Sequence, residues 1–193
     1  MNQEQFQQIL DFWFGKPDSP NYGKPRREWF IKSEEFDREI TVRFLSYYPQ
    51  AATGKLDSWQ NQPLGCLALI ILLDQFPRNM FRKQPQAFAT DAQALKFAKY
   101  AVTQEFDQQL LPVQRWFIYL PFEHSENLAD QHRAVELFSS LKDDPDSASS
   151  IEYAHRHLQV IKRFGRFPHR NAILGRPSTA EEREFLQQPG SSF

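Results

Sequence analysis

An all-α fold is what this sequence predicts, and three observations predict it. No run alternates apolar and polar residues with period two for long enough to make a strand. Apolar residues recur instead at three- and four-residue intervals through one segment after another. Composition agrees: Leu, Ala, Gln, Glu and Lys suit helices, Val, Ile and Thr are few, and the 193 residues include only seven glycines. Eighteen phenylalanines and four tryptophans supply large apolar surfaces for packing. Residues 1–193 are read as a single domain, long enough to bury one sizeable core.

The elements follow in order. Residues 2–14 place Phe6, Ile9, Leu10 and Trp13 on one stripe, and Gly15 ends the helix. Residues 17–25 form a loop, followed by a short aromatic helix around Trp29 and Phe30. Ser33 caps a helix carrying Phe36, Ile40, Phe44 and Tyr47, which Pro49 ends. Residues 64–76 are apolar nearly all round and should be the central buried helix, broken by Pro77. Thr90 opens the next, in a Thr90-Asp91-Ala92-Gln93 capping box, with Ala94, Phe97, Ala98, Ala101 and Val102 as a small-residue face. Pro112 starts a segment with Trp116, Phe117 and Leu120 that Pro121 interrupts, and Ser125 caps a restart through Leu128, Val135 and Phe138. Residues 142–150 read as a polar loop. A long helix then spans residues 149–164, and a short one, opened by Thr179-Ala180-Glu181-Glu182, spans 178–187. Connections are short, so neighbouring helices should pack antiparallel in pairs.

Composition also limits function. The net charge of −1 argues against polyanion binding as the main task, and nucleic acid is disfavoured as a partner. Cys66 stands alone in an apolar run, so no internal disulfide forms. No apolar stretch reaches the roughly 18 residues of a membrane span, and no signal segment precedes the first helix. A soluble cytoplasmic protein is expected. Glycine-rich phosphate loops are missing, a single cysteine excludes Cys/His zinc spacing, and Glu152-Tyr153-Ala154-His155 lacks the second motif a di-iron bundle needs. Neither a metal nor a cofactor is expected.

Three polar constellations carry the candidate chemistry. In the first, Asp74 continues the stripe of Leu67, Ile70 and Ile71, with Arg78 and Asn79 beyond Pro77; it reads as an anion site or as a structural Asp–Arg pair. In the second, Glu123 and Glu126 flank His124, where a nearby carboxylate would raise the imidazole pKa and fix its tautomer, or where Ser125 and Glu126 simply cap a helix. The third is the acid-free stretch from Tyr153 to Ala180, with six Lys/Arg and three His. There His157 shares a face with Ile161 and Phe164, and Arg163, Arg166, His169, Arg170 and Asn171 surround Gly165 and Pro168. Guanidinium groups beside imidazole suit a carboxylate or phosphate. Phe76-Pro77-Arg78-Asn79 also echoes Phe167-Pro168-His169-Arg170-Asn171, hinting at a duplicated helix–turn–helix unit.

These residues are familiar as a set. Leu72-Leu73-Asp74-Gln75-Phe76-Pro77-Arg78-Asn79, Leu120-Pro121-Phe122-Glu123-His124-Ser125-Glu126 and the segment from Arg163 to Asn171 resemble the bacterial domain-of-unknown-function family 924. So do Asp11-Phe12-Trp13-Phe14-Gly15, Ala87-Phe88-Ala89-Thr90-Asp91 and the ending Pro189-Gly190-Ser191-Ser192-Phe193. The resemblance implies a tetratricopeptide-like, right-handed array of antiparallel helix pairs, in a family without an established activity.

Two functions remain open. In one, the constellations meet in a pocket for a small anionic ligand, bound by Asp74, Arg78, Asn79, Glu126, Arg163, Arg166, His169, Arg170 and Asn171. Glu123, His124 and His157 would then supply acid–base chemistry of a hydrolase or transferase. In the other, the protein is a non-catalytic helical-repeat module for a protein partner, and the polar motifs are internal staples.

Overall fold

The stripe at the start of the chain folds as helix α1 (Asn2–Phe14), which buries Phe6, Ile9, Leu10 and Trp13. Gly15, at φ +82°, closes it, its N–H bonded to the Asp11 carbonyl at 3.1 Å. Two carbonyls at this end find side-chain donors. Arg26 Nη1 donates to Phe12 O (2.6 Å) and Trp13 O (2.9 Å), and Trp29 Nε1 also donates to Trp13 O (3.1 Å). Those bonds fix the 3₁₀ turn Arg27–Trp29 against the core. The computed structural model describes residues 2–191, and every regular element among them is helical.

Ser33 caps α2 (Glu34–Phe44), its Oγ accepting from the Phe36 N–H. Pro49 does not end a helix, as expected from sequence, but sits in the first turn of α3 (Tyr48–Ala52). A first-turn N–H has no helical partner, so proline loses nothing there.

Helix α4 (Pro63–Met80) is the centre of the fold, buried from Gly65 through Pro77. It packs on α1, α2, α3 and the 3₁₀ turn Asp57–Asn61. Pro77 was expected to break this helix, and it does not. Its missing N–H leaves the Leu73 carbonyl without a helical donor, and Thr90 Oγ1 donates to that carbonyl at 2.6 Å. Thr90 therefore makes no side-chain cap for α5 (Asp91–Thr103), and the expected capping box is absent there. Ala94, Ala98 and Ala101 of α5 are buried, as the small-residue face required.

Helix α6 (Pro112–Glu123) likewise runs through Pro121 and ends at His124. The next helix, α7 (Leu128–Ser139), is capped by Asn127, whose Oδ1 accepts from Ala129 and Asp130 N–H. Ser125, the expected cap, donates instead to Asp130 Oδ2 at 2.9 Å. Helix α8 (Ala148–Phe164) stops at Gly165, at φ +68°. The expected capping box does open α9 (Ala180–Phe185), with Thr179 and Glu182 bonded reciprocally.

From α4 to α8 each helix packs on its successor: α4 on α5, α5 on α6, α6 on α7, α7 on α8. The two echoing segments do not share a backbone form. Phe76–Asn79 is helical, whereas Phe167–Asn171 lies in a loop around the 3₁₀ turn Pro168–Arg170. No helix among the described residues is long and apolar enough to cross a membrane.

Candidate functional site

The ends of α4 and α6, one face of α8, and the loops at residues 29–32 and 169–173 enclose a cavity of about 770 Å³. Several of its polar wall residues come from helices whose other residues are core. The apolar stripe that buries α4 carries Asp74 and Arg78 inward with it, and α6 carries Glu123 and His124 in the same way.

Asp74 is 1% exposed. Its Oδ1 lies 2.7 Å from His124 Nδ1 and 3.3 Å from Arg78 Nη1, and Gln75 Nε2 donates to Oδ2. Burial alone would raise the carboxyl pKa, but Arg78 and His124 beside it hold it well below the usual range. Asp74 is therefore ionised and only accepts, so Nδ1 of His124 carries the proton and donates. Burial and Arg78 lower the His124 pKa, against the pull of Asp74. The ring is thus neutral at pH 7, with its lone pair on Nε2.

Glu123 and His157 form the second pair, each under 5% exposed. His157 Nδ1 lies 2.9 Å from the Tyr153 carbonyl and 3.0 Å from Glu123 Oε1. Both are acceptors, so Nδ1 carries a hydrogen shared between them. Burial pushes Glu123 up to about 8, helped by the Asp74 charge, and pushes His157 down to about 3. Both are neutral at pH 7. Glu123 Oε2 has no hydrogen-bond partner among the described residues.

Arg170 completes the wall. Its guanidinium is stacked between Phe88 (4.8 Å) and Phe167 (4.5 Å). It reaches Asp91 Oδ2 only at 3.4 Å, because Arg78 already holds that carboxylate through two bonds of 2.8 and 3.0 Å. Its buried Nε has no partner among the described residues. Burial and the Arg78 charge lower its pKa to about 10, so it stays cationic.

Of the residues singled out from sequence, Arg78, Asn79, Glu123, His124, His157, His169 and Arg170 line this cavity, and Asp74 stands behind two of them. Asn79 is also tied to α2, donating to Asp37 Oδ1 at 2.8 Å. Burial and Arg170 push His169 down to about 4.

The others lie outside it and hold the C-terminal segment. Arg166 makes a two-pronged pair with Glu182 (2.6 and 2.8 Å) and donates to the Pro177 carbonyl. Asn171 is bonded to Ser178, Glu182 and Arg176. Glu126 accepts two bonds from Arg176 and the Phe167 N–H. Arg163 meets Glu181 at 2.8 Å on the surface.

Sequence reasoning missed much of the wall. Trp29, Phe30, Ile31, Phe88, Trp116 and Tyr153 also line it. Asp91 was read as a helix-cap residue, yet it is the carboxylate shared by Arg78 and Arg170. The aromatic Trp29-Phe30 pair, read as a short helix, was the available signal for the mouth. Lys32, Arg78, Arg82, Lys83 and Arg170 face a single carboxyl among the lining residues, Glu123. Among the described residues, no group of three or more His, Cys, Asp or Glu is arranged to hold a metal ion.

Over residues 9–190 the chain matches the family described as a bacterial protein of unknown function, DUF924. It is also similar to the solved structure of a protein of unknown function, ATU0120, from Agrobacterium tumefaciens. The two are 39% identical with a TM-score of 0.86, over 97% of this chain and 99% of that one. None of the curated proteins matches it.

Proposed function

Since the chain belongs to the DUF924 family of bacterial proteins of unknown function, its activity has to be read from the site, and we propose that the cavity binds a small anionic ligand bearing a carboxylate or phosphate. One observation carries the reading: two buried groups of the same cavity wall, Arg170 Nε and Glu123 Oε2, lack partners among the described residues. Leaving a buried polar atom unpaired costs about 1–3 kcal/mol, so two in one cavity point to what the cavity takes up. Arg170 supplies the charge, and the neutral acid of Glu123 donates a hydrogen bond to the anion. His124, oriented by ionised Asp74, supplies a neutral imidazole whose Nε2 accepts a proton. That is the arrangement for general-base catalysis of hydrolysis or group transfer, with Glu123 as the matching acid. The serial packing from α4 to α8 supports reading the scaffold as a tetratricopeptide-like array.

The C-terminal polar residues support a structural role for themselves alone. Arg166, Asn171, Glu126 and Arg176 spend their bonds on one another and on Glu182, which leaves the cavity residues as the functional set.

Titration with inorganic phosphate and short carboxylates, followed through the fluorescence of Trp29 and Trp116, should show saturable binding in the millimolar range or tighter. Native mass spectrometry of the purified protein should find a retained anion. Arg170→Gln should weaken binding by about tenfold or more, the loss of one charge-assisted bond, while circular dichroism reports an unchanged fold. No fluorescence response, together with no retained anion, would overturn the proposal.

A further inference from the structure

The polar groups account for only part of the cavity wall. Arg78, His124 and Arg170 are joined through Asp74 and Asp91 into one cluster. Much of the remaining surface is apolar, from Trp29, Phe30, Ile31, Phe88 and Tyr153 among others, beside polar residues such as Lys32, Lys83, Ser149 and Ser150. Two of these are oddly placed for a folded protein: Phe30 is 60% exposed and Ile31 47%. They follow Trp29, whose indole is pinned to the Trp13 carbonyl, so the loop is held with its apolar side chains at the cavity rather than in the core. A volume of about 770 Å³ is also far more than a bare phosphate or acetate fills; it lies in the range of sites for drug-sized molecules.

Resting on the reading of the cavity as an anion site, we infer that its ligand is amphiphilic: a single carboxylate or phosphate head on an apolar body of about six to twelve carbons. The head meets Arg170 and the Glu123 acid, and the body lies against the Trp29-Phe30-Ile31 loop, Phe88 and Tyr153. A highly charged ligand such as a nucleoside triphosphate does not fit this balance. Arg78 and Arg82 are already paired, with Asp91 and Asp37, and Lys32 meets Glu34, which leaves Arg170 and the exposed Lys83 to face a ligand, fewer cations than several phosphates need. An uncharged lipid fits no better, because it would leave Arg170 Nε and Glu123 Oε2 unsatisfied.

The test is a titration of the whole chain with acetate, hexanoate, decanoate and decanol, read by tryptophan fluorescence and confirmed by calorimetry. Affinity should rise by up to about fourfold per buried methylene, so decanoate should exceed hexanoate by tenfold or more. Decanol should bind about tenfold or more weakly than decanoate, for want of the charged head. Phe30→Ser, at an exposed position where the fold is not at stake, should weaken decanoate several-fold and leave acetate unchanged. Equal affinity for acetate and decanoate, or unchanged decanoate affinity in Phe30→Ser, overturns the amphiphile inference and leaves the anion site standing. Decanol binding as tightly as decanoate, or no binding by any of the four, overturns both.

Discussion

Glu123→Gln tests the electrostatics of the cavity without any ligand. The wild-type carboxyl is buried beside ionised Asp74, and its pKa rises from 4.5 to about 8. The fold therefore holds a proton that the unfolded chain gives up above pH 4.5. Unfolding then releases a proton, and stability falls as pH rises, by about 1.4 kcal/mol per pH unit until the folded pKa is passed. His157 and His169 act in the opposite sense, since their pKa values are lowered to about 3 and about 4. They stay neutral in the fold while the unfolded chain binds protons below 6.5, so they weaken the protein on the acid side only. The two effects place maximum stability near pH 6.5. Between pH 6.5 and 8 Glu123 is the group left titrating, and the wild type should lose about 2 kcal/mol there. Glutamine is close in shape to the protonated acid: its Oε1 still accepts from His157 Nδ1, and its amide stands where the Oε2 hydroxyl stood. Urea denaturation of Glu123→Gln should therefore match the wild type within about 1 kcal/mol near pH 5 and stay nearly flat from pH 6.5 to 8. Parallel pH profiles for the two proteins over that interval would refute the argument.

Two further substitutions test what positions the site. Gly65→Ala in α4 should destabilise by about 1–3 kcal/mol, because the added Cβ would press on the Trp59 backbone carbonyl; helix propensity alone predicts about 1 kcal/mol of stabilisation, so the sign of the shift in urea midpoint decides. Glu126→Gln should cost about 1–3 kcal/mol, since the carboxylate accepts two bonds from Arg176 and one from the Phe167 N–H, and an unchanged midpoint at pH 7 would remove the clasp from the account.

How much of this was legible in the sequence depends on how far each cause lies along the chain. The stripes of α1, α2, α4 and α8 were readable because three- and four-residue periodicity is local. Asp74 and His157 stood out for the same reason, as titratable groups on otherwise apolar faces. Pro77 misled because the remedy for its missing N–H is Thr90, in the next element of the fold. The apolar wall was invisible for another reason. Trp29, Trp116 and Phe138 look the same in sequence whether they face a core or a cavity, and only the assembled helices tell which.

The sharpest case is the two arginines four positions apart in the basic stretch. Arg166 and Arg170 have the same chemistry and the same kind of neighbours in sequence, and both were read as anion ligands. What separates them is how much of each guanidinium's bonding capacity the fold has already used. Glu182 gives both carboxylate oxygens to Arg166, and Pro177 adds its carbonyl, so Arg166 has little left to offer a ligand. Asp91 has given both oxygens to Arg78 before Arg170 reaches it at 3.4 Å, so among the described residues Arg170 is left with an unpaired Nε in the cavity wall. Binding capacity here is a remainder, set by which carboxylate each arginine must share, and that sharing is decided by contacts across α4, α5 and the segment after Gly165.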